Sequence, residues 1–387
     1  MPAPTMMTWD MGPLCHEGVD AVWDRLTRWQ PETHEEARMS TFDRRLVDTG
    51  RLTMNVWTSG PEDGDPVLLV HGNLSTGGFW KYVAEQLPDD VRVIAPDLRG
   101  FGRTDALPID ATVGLGDLGE DVHALLETLG VADQRRVNAA GWSMGGGVLQ
   151  QLLIAHPADL AAITLVAPLS PYGFGGTKGA EGIPWADDFA GTGGGGANPE
   201  LVRRLAAKDA SLDNPATSPR AVITTFYGPG DNGAVDVDFL VDELLLTQTG
   251  DDFYPGNSVT SENWPGVAPG DRGVLNTMSP RWFNSTAIVD VEPKPPITWL
   301  RGDRDQVASD RSMFDLATLG SLGVVPGWPG AEVMPSQPME AQTRQVLEHY
   351  AAGGGQTREV VLEGEDHGMP LAAPDRVAEE IMAILVR

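Results

Sequence analysis

The stretch "QRRVNAAGWSMGGGVLQQLLIAHP", residues 134–157, decides the fold. An apolar run over residues 137–140 reads as the end of a buried strand. Residues 148–155 have the apolar density of a helix, stopped by Pro157. Between them lies Ser143, flanked by glycines. A bare G-x-S-x-G pattern decides little: with 46 glycines and 15 serines in the chain, about 0.2 matches arise by chance. The context carries the reading. A tight strand–turn–helix junction pushes a serine hydroxyl out into the open. A Cβ at Gly141 or Gly145 would collide there with the neighbouring strand or helix. The helix begins directly after Ser143, so its free N–H groups face any negative charge that develops there.

Working outward, "PVLLVHGN" (66–73) and "VRVIAPDLRGFGRTD" (91–105) are apolar runs ending in glycine-punctuated turns. "GGFWKYVAEQLP" (77–88) between them reads as an amphipathic helix, and residues 115–129 as another. "LAAITLVAP" (160–168), "PITWLRGDRD" (296–305) and "REVVLEGEDHG" (358–368) supply further strands, and "PDRVAEEIMAILVR" closes the chain as a helix. Continuous apolar strands alternating with helices predict a parallel sheet covered on both faces. "STFDRRLVDT" and "RLTMNVWTSG" alternate more clearly and predict an antiparallel edge hairpin. The pattern is α/β, with eight strands and a long insertion after the strand ending at Pro168.

Composition narrows the partners. A chain of 387 residues, 41% hydrophobic, can bury a large core. Its formal charge of −28 argues against nucleic acid, which needs clustered Lys and Arg. The single cysteine, Cys15, excludes an intrachain disulfide. There is no secretory pattern and no apolar run long enough to span a membrane, so the expectation is a cytoplasmic protein without a membrane partner. A homo-oligomer stays open.

The motifs "HGN", "PDLRGFGRTD", "GWSMGG", "LRGDRD" and "GEDHG", in this order, resemble the α/β-hydrolase family over residues from about 40 to 168 and from about 295 to 387. The resemblance implies an eight-stranded, mostly parallel sheet with helices on both faces and a cap insertion. Four segments follow: an extension (1–40, with a helix around 17–30), a first core part (41–169), a cap (170–290), and a second core part (291–387) interrupted by an insertion at 319–342.

The resemblance also implies a triad. Ser143 is the nucleophile and needs a base to remove its proton. Of the seven histidines, His16 and His34 precede the fold and His71 reads as packing under its turn. His123, His156 and His349 sit on or at the ends of helices. His367, in the loop after the last strand, is where the family carries its base. The acid follows a glycine by three residues, which selects Asp305 after Gly302; Asp303 is the alternative, otherwise a turn residue. The oxyanion needs two N–H donors, Met144 after the nucleophile and Asn73 after "HG", with Leu74 open by one register. Leu74, Trp142, Tyr172, Phe174 and Trp185 are the substrate-contact candidates. Trp264 and Trp328 stand on further loops and either line a pocket or only anchor those loops.

Together these imply a serine hydrolase without cofactor or metal, acting on a neutral, fairly bulky ester or lactone. Amide or carbon–carbon cleavage and perhydrolase or haloperoxidase-like chemistry remain alternatives on the same triad. A non-enzymatic small-molecule binder is the reading from another class. Ser143 stands where dehalogenases of this fold need Asp, which argues against halide displacement.

Overall fold

The computed structural model describes residues 42–131, 136–214, 217–228 and 235–385. The expected 1–40 extension, its helix and Cys15 lie outside these residues. Eight strands form one sheet: β1 Asp43–Asp48, β2 Thr53–Ser59, β3 Asp65–Val70, β4 Val91–Pro96, β5 Val137–Trp142, β6 Leu160–Val166, β7 Ile297–Gly302 and β8 Thr357–Leu362. Their spatial order is β1-β2-β4-β3-β5-β6-β7-β8. β1 and β2 pair antiparallel with each other, and β2 antiparallel with β4; β4 through β8 run parallel.

The burial pattern follows from this order. Every residue of central β5 is buried, as the helices on both faces require. Edge strand β1 exposes Asp43, Arg44 and Arg45, charges that discourage pairing with another sheet. The longer helices are α1 Gly116–Thr128, α2 Met144–Ala155, α3 Pro199–Ala206, α4 Pro219–Phe226, α5 Val237–Leu244, α6 Leu316–Ser321, α7 Met339–Ala352 and α8 Pro374–Ala383. Among the described residues no helix is long and apolar enough to cross a membrane.

Two helices are shorter than their apolar patterns predict. The helix expected over 77–88 is a 3-10 turn, Gly77–Trp80, followed by one α turn, Lys81–Ala84. Gly77 lies so close under β4 that a Cβ would sit 2.2 Å from the Ala95 carbonyl oxygen. In the insertion, the apolar run "DVDFLVDELLLTQTG" (236–250) reads as one helix, but the helix ends at Leu244. The Gln248 N–H donates to the Gly100 carbonyl at 2.9 Å, so the core turn takes the hydrogen bond that a continued helix would have used.

Among the described residues of 167–296, between β6 and β7, none joins the main sheet. The glycine-rich stretch that opens them is ordered by side chains from the second insertion. Gln337 accepts from the Gly175 N–H and donates to the Gly173 carbonyl. Gln342 accepts from Ser170 and donates to Thr177 and Gly179. Trp264 donates to the Pro326 carbonyl at 2.8 Å and Trp328 to Met334 at 3.0 Å; these hydrogen bonds hold loops to loops.

A buried pair ties α5 to the core. Glu243, 2% exposed, accepts from Thr76 Oγ1 at 2.7 Å and Arg103 Nη1 at 2.6 Å. Glu243→Ala removes the acceptor of both. We expect a loss of about 2 kcal/mol in urea unfolding, less than the about 3–5 kcal/mol of a fully buried pair, because the Arg103 side chain is 35% exposed. A change below about 0.5 kcal/mol contradicts this role.

Candidate active site

In a parallel sheet the carboxyl ends of the strands emerge along one edge, where open α/β sheets place their ligands. Here β3 delivers His71–Leu74, β5 delivers Ser143, β7 delivers Asp305 and β8 delivers His367.

The turn at Ser143 is strained. Its φ of 57° and ψ of −119° lie where only glycine is at ease, at a cost of about 1–3 kcal/mol. Hydrogen bonds hold it: Ser143 N–H donates to Val166 at 2.9 Å, and its carbonyl accepts from Gly146 at 2.9 Å and Leu169 at 3.0 Å. The glycines behave as their spacing predicts. A Cβ on Gly145 would lie 2.2 Å from the Val70 carbonyl oxygen of β3, and one on Gly141 2.5 Å from the Gly145 oxygen of α2. Met144, buried, opens α2.

His367 Nδ1 lies 3.0 Å from Asp305 Oδ2, with each side chain 1% exposed. The carboxylate accepts there, so Nδ1 carries a proton and Nε2 is the ring nitrogen left to face the substrate side. Asp305 Oδ1 accepts from the N–H groups of Val307 and Ala308, at 2.7 and 2.9 Å. Burial works to raise the Asp305 pKa. The charge and N–H of His367 and the two backbone donors outweigh it and hold the carboxyl below its ordinary value. Asp303 is exposed and accepts from the Gly364 N–H at 2.7 Å, as a turn residue. The two loops meet because Gly302 has no side chain; a Cβ there would lie 2.1 Å from the Glu365 oxygen.

The turn after β3 passes against the serine: a Cβ on Gly72 would lie 3.1 Å from Ser143 Cβ and 3.7 Å from Oγ. His71 is fully buried; its Nδ1–H donates to Gly72 O at 2.7 Å, and Nε2 accepts from Leu98 N–H at 2.9 Å. Burial pushes it down to about 4, so it is a neutral strut, as its position under the turn implies. Asn73 is half-buried and its Oδ1 has no partner among the described residues. Leu74 adopts φ 52°.

Trp142 Nε1 donates to the His367 carbonyl at 2.9 Å. The other three contact candidates sit on the insertion. Tyr172 packs over Gly182, where a Cβ would lie 2.1 Å from its ring. Phe174 N–H donates to Met278 and Trp185 N–H to Gly176. The crevice beside His367 is lined instead by Thr225, Phe226, Gln306, Val307 and Asp366. It is too narrow for a water molecule, and Phe226 closes edge-on against Phe314 with ring centres 4.7 Å apart. A roomier groove of about 230 Å³ between α1 and α2 touches none of the triad candidates.

Among the described residues one cluster offers metal-ligand atoms within 4.8 Å of one another, namely His123, His156 and Asp159. Its rings are stacked 3.5 Å apart and tilted by 5°, so no single ion can lie in both ring planes. Asp159 and Glu120 already take one N–H from each ring.

A profile of the family described as alpha/beta hydrolase fold matches residues 65–318. The chain belongs to that family. Over 134 residues it is 29% identical to a fluoroacetate dehalogenase from a Burkholderia species, covering 34% of this chain and 42% of that one. Over 120 residues it is 35% identical to the lipase LipV of Mycobacterium tuberculosis, covering 30% and 42%. The chain thus matches about two-fifths of the length of these curated relatives. Among solved structures, the esterase RhEst1 from Rhodococcus sp. ECU1013 superposes over 89% of this α/β-hydrolase and 98% of its own chain, with a TM-score of 0.51 and 19% identity. That likeness is one of fold.

Proposed function

We propose that this α/β-hydrolase is a serine hydrolase that cleaves a neutral, fairly bulky carboxylic ester or lactone through an acyl-enzyme. The buried His367–Asp305 pair, on the sheet edge that carries Ser143, supports this reading most directly. Ser143 Oγ attacks the carbonyl carbon as His367 Nε2 takes its proton. Asp305 keeps the imidazole in the required tautomer and balances the imidazolium. The N–H groups of Asn73 and Met144 receive the oxyanion. His367 then protonates the departing alkoxide, and water, deprotonated by the same Nε2, releases the acid. Phosphonylation of Ser143 by a fluorophosphonate, mapped by peptide mass, tests the nucleophile; an unlabelled Ser143 in folded protein contradicts it.

We assign residues 170–290 as the cap over this edge. The crevice wall combines cap side chains (Thr225, Phe226) with core ones (Gln306, Val307), so a substrate enters only when cap and core part there, and Phe226 and Val307 would then give its non-reacting part an apolar contact from each side. Binding energy from such parts appears in kcat/KM. Bulky or aryl esters and lactones are therefore expected to be turned over with higher kcat/KM than acetate-sized esters. A monotonic fall with acyl and alcohol size refutes this assignment.

A further inference from the structure

Tyr227 ends helix α4, and nothing in the sequence pattern singles it out. Its hydroxyl donates to the backbone carbonyl of Asn73. Its ring centre lies 4.9 Å from that of Trp142, next to the serine, and 6.1 Å from that of His367. Gly368 lets the Tyr227 backbone pass: a Cβ on that glycine would lie 2.3 Å from the Tyr227 oxygen. One residue of the insertion thus touches the strands and loops that carry nucleophile, base and oxyanion donor.

We propose that Tyr227 is a positioning residue that holds the oxyanion turn in its working form, so that docking of the insertion and competence of the oxyanion donor are one event. The proposal rests on the serine-hydrolase reading, with Asn73 as a donor. A peptide group is planar and trans, so fixing its oxygen fixes its N–H on the opposite side. The Gly72–Asn73 peptide, which carries the Asn73 N–H, is anchored from the core: Gly72 O accepts from His71 Nδ1 at 2.7 Å and Ser75 Oγ at 2.9 Å. The next peptide, Asn73–Leu74, is anchored through Asn73 O by Tyr227 alone among the described residues.

That second anchor opposes a specific relaxation. Leu74 is left-handed at φ 52°, a conformation that side chains other than glycine and asparagine resist. In a tight turn, flipping the central peptide returns the third residue to negative φ. The flip here would swing Asn73 O away from Tyr227, turn the Leu74 N–H and change the ψ of Asn73, so that the second peptide of the oxyanion turn loses its set beside Ser143 even though the first stays anchored. Neither the Asn73 N–H nor the Leu74 N–H donates to a backbone acceptor outside regular secondary structure among the described residues, so both donors of this turn are open toward an oxyanion. Burial pushes the Tyr227 phenol up, so it stays a donor across neutral pH.

Tyr227→Phe tests this, because it removes the hydroxyl and keeps the ring. With a p-nitrophenyl ester, kcat is expected to fall about tenfold to a hundredfold, less than the loss of an oxyanion donor itself, with KM within about threefold. Affinity for a boronic acid, which forms a tetrahedral adduct on serine, should fall by a similar factor. Affinity for the product carboxylic acid should hold. The affinity ratio is read on folded protein, so lost stability does not mask it. A kcat within about twofold of wild type, or equal weakening of both ligands, overturns the proposal. Ser143→Ala is the control: if it is active, the nucleophile reading has failed instead.

Discussion

Ser143→Ala is expected to lower kcat by at least about a thousandfold on any ester the wild type hydrolyses, and to abolish fluorophosphonate labelling, with the fold intact. Removing a member of a triad leaves only binding and oxyanion stabilisation to act on the substrate. Activity above about a tenth of wild type would sink the assignment. A companion substitution reads the strain. Alanine meets the same steric conflict as serine at φ 57°, so Ser143→Ala should leave stability nearly unchanged. Ser143→Gly relieves about 1–3 kcal/mol of strain and adds up to about 1 kcal/mol of unfolded-state freedom. It should be equally inactive yet about 1 kcal/mol more stable in urea. A destabilised Ser143→Gly protein would mean that the turn is not strained in solution.

Asp305→Asn should cost about a thousandfold or more in kcat/KM, because the amide can turn its NH₂ toward His367 and hold the wrong tautomer. Asp303→Asn should stay within about twofold: an amide oxygen still accepts from the Gly364 N–H, and the residue does not touch His367. Reversed results would reassign the acid. The pair also contributes stability. The Asp305 pKa is depressed in the fold, so its contribution is full above the unfolded value of about 4. It is lost as pH falls through the lower folded value. Asp305→Asn should therefore be less stable than wild type at neutral pH, with the gap closing in acid.

Much of the architecture was legible because it depends on local chemistry. Alternation in 40–60 marked an antiparallel hairpin, and the apolar runs of β3, β5 and β6 marked strands buried on both faces. Gly141 and Gly145 announced close backbone crossings that the structure contains. The choice between Asp303 and Asp305 was visible only as a spacing preference. Burial of one carboxylate against His367, and exposure of the other, separates them. Helix ends were less legible: Gln248 gives its N–H to a core turn about 150 residues earlier in the chain, and no periodicity records that.

The α/β order, the serine at a strand–helix junction and the candidate acid and base could all be read from the chain, because each is written in residues near one another or in chain order. What surrounds them emerges only when the chain is folded. Thr225, Phe226, Gln306 and Val307 form the crevice wall, whereas Trp264 and Trp328 bind loop to loop. Tyr227 and Glu243 look like ordinary helix residues until the fold brings them to Asn73 and Arg103, 154 and 140 positions away. Such contacts arise from how the insertion packs on the sheet edge, and that packing is set by shape and hydrogen bonding across the whole chain.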